Sequence, residues 1–193
     1  MSRLKEALKN EYVKSAIFLA IIVVSIAAFW LGLRAYLRTE YPLLAVASGS
    51  MVPTLNEGDL IVVHGGLNSS EIVAEDGTGD IIVFHKPTDF DELIVHRAID
   101  KEQNEGVWYF RTKGDANNSP DYWKVSESYI VGKVVWNIPY LGNVPLFVHT
   151  QEGMMIIIIL IVILVLLEFI IPYAKERTGQ PEGEVESPSI GSL

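Results

Sequence analysis

The chain contains no cysteine. No disulfide framework, thiolate nucleophile or cysteine-ligated metal centre can form. It also lacks an excess of positive charge: 15 Lys and Arg face 24 Asp and Glu, a formal net charge of −9. That balance argues against nucleic acid as a partner, because a polyanion selects a basic face. No glycine-rich phosphate loop and no repeat of solenoid length occur. No two histidines stand in a His-x-x-x-His arrangement, so zinc held by His64, His85 and His96 is disfavoured. No cofactor is implied.

What is present is hydrophobic material in an uneven layout. Of the 193 residues 49% are hydrophobic, and the mean hydropathy is positive. Ala16 to Leu33 is a run without charge. As a helix it spans roughly 27 Å, close to the ~30 Å hydrocarbon core of a bilayer. Met154 to Pro172 is a second apolar run, interrupted only by Glu168, which reads as an acid tolerated near the headgroups. Both runs read as transmembrane helices, over residues 16–33 and 154–172.

Between them, from Tyr41 to Glu152, 16 Asp or Glu oppose 7 Lys or Arg. Nearly all of the net charge thus sits in an acidic, soluble middle domain, residues 41–149. Arg3, Lys5, Lys9 and Lys14 precede the first run, and Lys175 and Arg177 follow the second. The positive-inside rule then places both termini in the cytoplasm and the middle domain outside, with Arg34 and Arg38 opposing. Ala45-Val46-Ala47 resembles a signal cleavage site but lies too far beyond the apolar run, so the first helix reads as an anchor. Residues 1–15 form an amphipathic lead-in at the cytoplasmic surface, and residues 173–193, rich in Gly, Pro, Ser and Glu, a disordered cytoplasmic tail.

The middle domain shows no long helical periodicity. Short β-rich runs are punctuated by Gly, Asp, Asn and Pro. Strands are predicted at Leu43–Ala47, Asp59–His64, Asp80–His85, Glu92–Ile99, Val107–Lys113 and Tyr129–Trp136. The fold class is mainly β, an antiparallel and barrel-like sheet domain flanked by two transmembrane helices. Ile138 to Thr150 is too broken for a helix and is expected to be a loop or an interfacial segment, with Tyr140 at headgroup level.

With cysteine absent, serine and threonine remain as protein nucleophiles, and a serine needs a base within hydrogen-bond reach. Ser48-Gly49-Ser50-Met51-Val52-Pro53-Thr54 follows a strand, and Gly and Pro there set a tight turn. Such a turn can present Ser50 with its N–H aimed at an oxyanion; equally, it can be a capped loop. His96 closes a predicted strand and can serve as base, with His64, His85 and His149 as competitors. The polar loop Gly114 to Asp121 offers Asp115 and Asp121 to orient an imidazole, or simply caps a turn. Lys113 is a rival base, although its place beside a solvated loop fits a surface cation.

Three segments, in order, strongly resemble type I signal peptidases. They are Ser48 to Thr54; Gly79-Asp80-Ile81-Ile82-Val83-Phe84 with Val95-His96-Arg97-Ala98; and Lys113-Gly114-Asp115 through Asp121. Histidine at position 96 resembles the archaeal and endoplasmic-reticulum branch, where bacterial members carry lysine. The resemblance implies a serine endopeptidase that removes N-terminal signal peptides after small residues. It implies Ser50 as nucleophile, His96 as base, Asp121 as orienting acid and Asp115 as supporting acid. The Ser50 N–H and the Ser48 hydroxyl would form the oxyanion hole, with Val46, Met51 and Val83 contacting substrate. Preproteins emerging from the translocon and the lipid bilayer are the implied partners. The implied location is the plasma membrane, or the endoplasmic-reticulum membrane of a eukaryote. Ala116, where Asn is usual, and Tyr122, where Arg or Ser-Arg is frequent, depart from the pattern. The competing readings are a membrane-tethered binding module without chemistry, and a protease of the same chemistry with a narrow client set.

Overall fold

The computed structural model describes the chain from residue 11 to residue 178, and its side chains from residue 13 to residue 167. The lead-in and most of the tail, 1–10 and 179–193, lie outside the described residues. Two compact units are present, Met1–Leu146 and Phe147–Leu193.

The first unit opens with helix α1 (Glu11–Leu37). Within it Val13–Leu37, 25 residues, is long and apolar enough to cross a membrane. The helix outlasts the charge-free run at both ends, because Lys14 and Arg34 can extend their charged tips toward water while their stems stay apolar. Its last turn is built into the domain that follows: Leu37 is buried and its carbonyl accepts the Gly65 N–H at 2.8 Å.

Seven strands follow: β1 (Leu43–Ala45), β2 (Leu60–His64), β3 (Ile81–Lys86), β4 (Asp89–Asn104), β5 (Val107–Lys113), β6 (Val125–Ser126) and β7 (Ile130–Ile138). They form one sheet in the order β1-β2-β7-β3-β4-β5-β6, with every neighbouring pair antiparallel. The sheet is open. The barrel-like expectation is corrected, because closure requires the two edge strands to pair, and here the edges are the short β1 and the two-residue β6.

The central strand β3 is covered on both faces, as its run of Ile82, Val83 and Phe84, all buried, requires. Val83 faces one cluster with Val46, Met51, Leu55, Ile61 and Val63. Ile82 and Phe84 face another with Ile72, Ala98, Phe110 and Val125. β4 is far longer than predicted, so His96 lies in mid-strand rather than at its end. Pairing with β5 carries the strand past Ile99 into a hairpin whose residues are too polar to read as strand from sequence.

A short helix, α2 (Asn143–Val148), occupies the stretch expected to be too broken for one. Pro145 does not prevent it, since N–H groups of a first turn have no partner within the helix. The second unit carries helix α3 (Gln151–Thr178), which runs through Pro172 into the segment expected to be a tail. Its described apolar portion is Gln151–Leu167, shorter than α1's span. The Glu168 side chain is outside the described residues.

Phe110 is fully buried and gathers the second cluster. Phe110→Ala is expected to cost about 3–5 kcal/mol, read as a lower denaturant midpoint for the detergent-solubilised protein.

Candidate active site

Register alone brings two polar residues to one place. On β4, His96 stands opposite Ile82 of β3, and two residues on, Ala98 stands opposite Thr112 of β5. Residues two apart on a strand share a face, as do directly paired residues. His96 and Thr112 are therefore near neighbours, and both are buried. The loop after β5 turns back so that the Asp121 N–H bonds the Thr112 carbonyl at 2.9 Å. The Thr112 hydroxyl donates to Asp121 Oδ2 at 2.7 Å, and the same oxygen lies 2.7 Å from His96 Nδ1.

Ser50 comes from the other side. It is in a 3-10 turn, Gly49–Met51, which follows extended residues next to β1. Its Oγ lies 3.2 Å from His96 Nε2 and 3.3 Å from Ser48 Oγ. The turn is tied to the polar loop: the Ala116 N–H donates to the Ser50 carbonyl at 2.9 Å. Gly114 makes this approach possible, since a Cβ there would lie 2.6 Å from the Ser50 oxygen.

The two acids of the loop have different partners. Asp115 accepts from Arg97 Nε at 2.8 Å and from Arg97 Nη2 at 2.6 Å, and also from the Thr54 hydroxyl. Arg97 Nη1 donates to the Gly79 carbonyl at 2.7 Å. Burial pushes the Asp115 carboxyl up, but the Arg97 hydrogen bonds, the Thr54 hydroxyl and the Arg97 charge together hold it below its ordinary value. The hydrogen bond to Asp115 correspondingly raises Arg97. Asp115 thus clamps the loop, while Asp121 touches the imidazole.

A cleft of about 370 Å3 opens onto Ser50 and His96. One wall is Ala45-Val46-Ala47 with Ser48 and Met51, and the other is Leu93 to Val95. Of the three residues expected to contact substrate, Val46 and Met51 line it. Val83 does not. It is fully buried in the core cluster that Val46 and Met51 share. Lys113 pairs with Arg97 in register and lines a separate cavity with Thr54 and Asp115, away from the His96 face. His85 is engaged elsewhere, its Nδ1 2.6 Å from the Phe90 carbonyl. Among the described residues no group of three His, Cys, Asp or Glu could hold a metal ion.

Sequence reasoning missed Thr112, the Arg97–Asp115 pair and the cleft residues Asn117 and Trp123. Arg97 carried a signal, since strand alternation sends it to the face opposite its neighbour His96. A buried threonine in a strand carries none.

Comparison with known proteins identifies a family. Residues 10–101 match the family model described as Signal peptidase, peptidase S26, a span containing Ser50 and His96. The chain is 31% identical over 152 residues to the signal peptidase complex catalytic subunit of Dictyostelium discoideum, covering 73% of this chain and 79% of that protein. It is 32% identical over 154 residues to a signal peptidase complex catalytic subunit of Homo sapiens, covering 76% and 77%. A Fusarium vanettenii counterpart is 31% identical over 134 residues, covering 66% and 75%.

The lowered carboxyl of Asp115 has a pH consequence. Its stabilisation is complete above the carboxyl's unfolded value, ordinarily 3.8, and is lost as pH falls through the lower folded value. Asp115→Asn should therefore show a smaller loss of denaturant midpoint on acidification than the wild type. Equal acid slopes for the two proteins would remove Asp115 from this account. With a buried His in contact with a half-buried Ser and Asp distant in sequence, and with relatives above 30% identity over most of their length, the chain belongs to the signal peptidase family, peptidase S26.

Proposed function

We propose that Ser50, His96 and Asp121 are the working residues of this serine endopeptidase, and that it removes signal peptides from secretory preproteins. The observation that carries the assignment is the unbroken Ser50–His96–Asp121 contact at the cleft. Asp121 accepts the Nδ1–H of His96, which leaves Nε2 to accept a proton. His96 takes the Ser50 hydroxyl proton as Oγ attacks the carbonyl that follows a small residue. The negative charge that develops on the carbonyl oxygen is met by the Ser50 N–H and the Ser48 hydroxyl. His96 then gives its proton to the leaving amine. In the second half it takes a proton from the water that attacks the ester carbonyl and gives it to Ser50 Oγ as the ester bond breaks, which restores the serine hydroxyl and the neutral imidazole. Thr112 fixes the carboxylate that fixes the imidazole.

The substrate lies extended between residues 45–47 and β4, where backbone pairing supplies affinity. Val46 and Met51 narrow the wall nearest Ser50, which favours small side chains. Helix α1 and the apolar part of α3 hold the domain at the membrane as two spans, with both termini cytoplasmic and the catalytic domain outside. Tethering raises the effective concentration toward a substrate held in the same bilayer. A non-catalytic binding module would have no use for a buried imidazole bridging a carboxylate and a hydroxyl.

Ser50→Ala, incubated with a labelled preprotein beside the wild type, is expected to lose turnover by on the order of a millionfold. Asp121→Asn is expected to lose about 10⁴-fold, because the amide supports the wrong imidazole tautomer. Near-normal cleavage by the Ser50 variant would overturn the assignment. So would an Asp115→Asn variant more damaged in kcat than Asp121→Asn.

A further inference from the structure

We propose that the Lys86–Glu92 ion pair at the far end of the cleft reads charge on the substrate, favouring a basic over an acidic side chain four residues before the cut. The inference deepens the signal-peptidase reading of this cleft and rests on it.

The edge of β4 that faces the cleft is unpaired. β4 pairs with β3 from Asp89 to Arg97, but with β5 only from Arg97 onward. Between Glu92 and His96 one edge is therefore left without a strand, and an extended substrate takes that place. Residues paired across a ladder share a face. Substrate residues beside Val95 and Leu93 thus turn toward the cluster of Met51 and Val46, which narrows the wall near Ser50. The residues between them turn to the other face. There His96, Ile94 and Glu92 follow one another at every second position of β4.

This second face changes character along its length. Next to His96 its floor is Ile94 and Trp123, both packed on the cluster of Phe84 and Phe110. Beyond them the cleft ends on Lys86 and Glu92, whose Nζ and Oε2 lie 2.5 Å apart. Alternation puts Lys86 on this face, two residues after Phe84 on β3. The pair is not sealed off, since its side chains are 25% and 50% exposed. A strand advances about 3.3 Å per residue, so Glu92 lies about 13 Å along β4 from His96. That is the level of the fourth substrate residue before the cut.

The sign of the preference follows from the local charges. Asp89 stands opposite Lys86 in register, so two carboxylates, Asp89 and Glu92, flank one ammonium. The ammonium is raised above its ordinary value, chiefly by its hydrogen bond to Glu92, and is a fixed cation already engaged. Glu92 Oε1 has no partner among the described residues and can accept from a lysine or arginine of the substrate. A substrate carboxylate would meet two like charges.

The test uses two labelled preproteins that differ only in Lys or Glu at the fourth residue before the cut, with the full-length protein in detergent. At low salt kcat/KM is expected to favour the lysine substrate about fivefold, the scale of exposed charge pairs, and the ratio should shrink at high salt. Glu92→Gln is expected to bring the ratio toward one, whereas Lys86→Gln, which leaves the carboxylates unopposed, should raise it. Loss of a merely structural bridge would move both variants alike. A wild-type ratio near one, or movement of both variants in the same direction, would overturn the inference. Glu105→Gln, an exposed acid on the β4–β5 hairpin, should leave the ratio unchanged; an equal drop there would also overturn it, since overall charge would then be the cause. Binding of the same two preproteins, followed by anisotropy, reports the preference without turnover. A binding preference without cleavage rejects the hydrolytic reading alone, and cleavage at equal rates rejects the charge subsite alone.

Discussion

Everything at this site depends on the register of β4 against its two neighbours. His96 opposes Ile82 and Arg97 opposes Ile81, so the imidazole and the guanidinium leave the strand on opposite faces. A slip of one residue would exchange them. The permanent cation would then face the side where Thr112 and Asp121 wait, and the imidazole the side where Asp115 waits. The slip is resisted by burial. Ile94 and Ala98 share the His96 face and pack with Phe84 and Phe110, and Val95 on the other face packs with Val83. Ile94 and Val95 are partly buried and Ala98 fully, and a slip would take all three from their clusters at once, losing roughly 25 cal/mol for each Å² of apolar surface exposed. Apolar packing thus fixes the placement of the polar chemistry.

That separation also divides the work of two acids six positions apart. An Arg–carboxylate fork is geometrically stiff, and Arg97 uses it to pin Asp115 while also holding the Gly79 carbonyl. The start of the loop is thereby fixed against β3, close enough for Ala116 to bond the Ser50 carbonyl. The end of the loop is free to serve the imidazole. Had one carboxylate faced both groups, the Arg97 fork would have occupied the oxygens that His96 Nδ1 and the Thr112 hydroxyl need. With two acids, the guanidinium and the imidazole do not compete for one carboxylate.

Much of this was legible in the sequence, and the reasons for the rest are local. Ser50 and His96 were singled out by the three motif segments in their order and the resemblance they carry, since a serine in a tight turn and one histidine of four say little alone. The choice of Asp121 over Asp115 followed from the resemblance alone, since spacing in a loop says nothing about which carboxylate turns inward. Val83 was misplaced because the central strand is apolar on both faces, so its pattern cannot tell a cleft wall from a core. The hairpin end of β4 was invisible because its residues are polar and held by pairing with β5. Thr112 gave no sign, since its polar role is created by Asp121 folding over it. A bulge in β7 was equally hidden: Val63 pairs with Val134 but Val62 with Trp136, so Val135 is an extra residue, although Val134, Trp136 and Ile138 alternate in sequence as an ordinary core-facing set.

That bulge settles a packing conflict. Without it Trp136 would be aimed at the same side as Val134, into a cluster already filled by Ile61, Val63 and Val83. Adding an indole to a close-packed core costs strain, and one inserted residue turns the ring outward instead. The same corner carries a wall of the cleft: Ala45 pairs with Leu60 on β2, and Asp59, buried, accepts the Tyr140 N–H through its carboxylate and the Val46 N–H through its carbonyl. The wall beside Ser50 is therefore held by one extra residue in β7 and one buried carboxylate, neither of which touches Ser50 or His96.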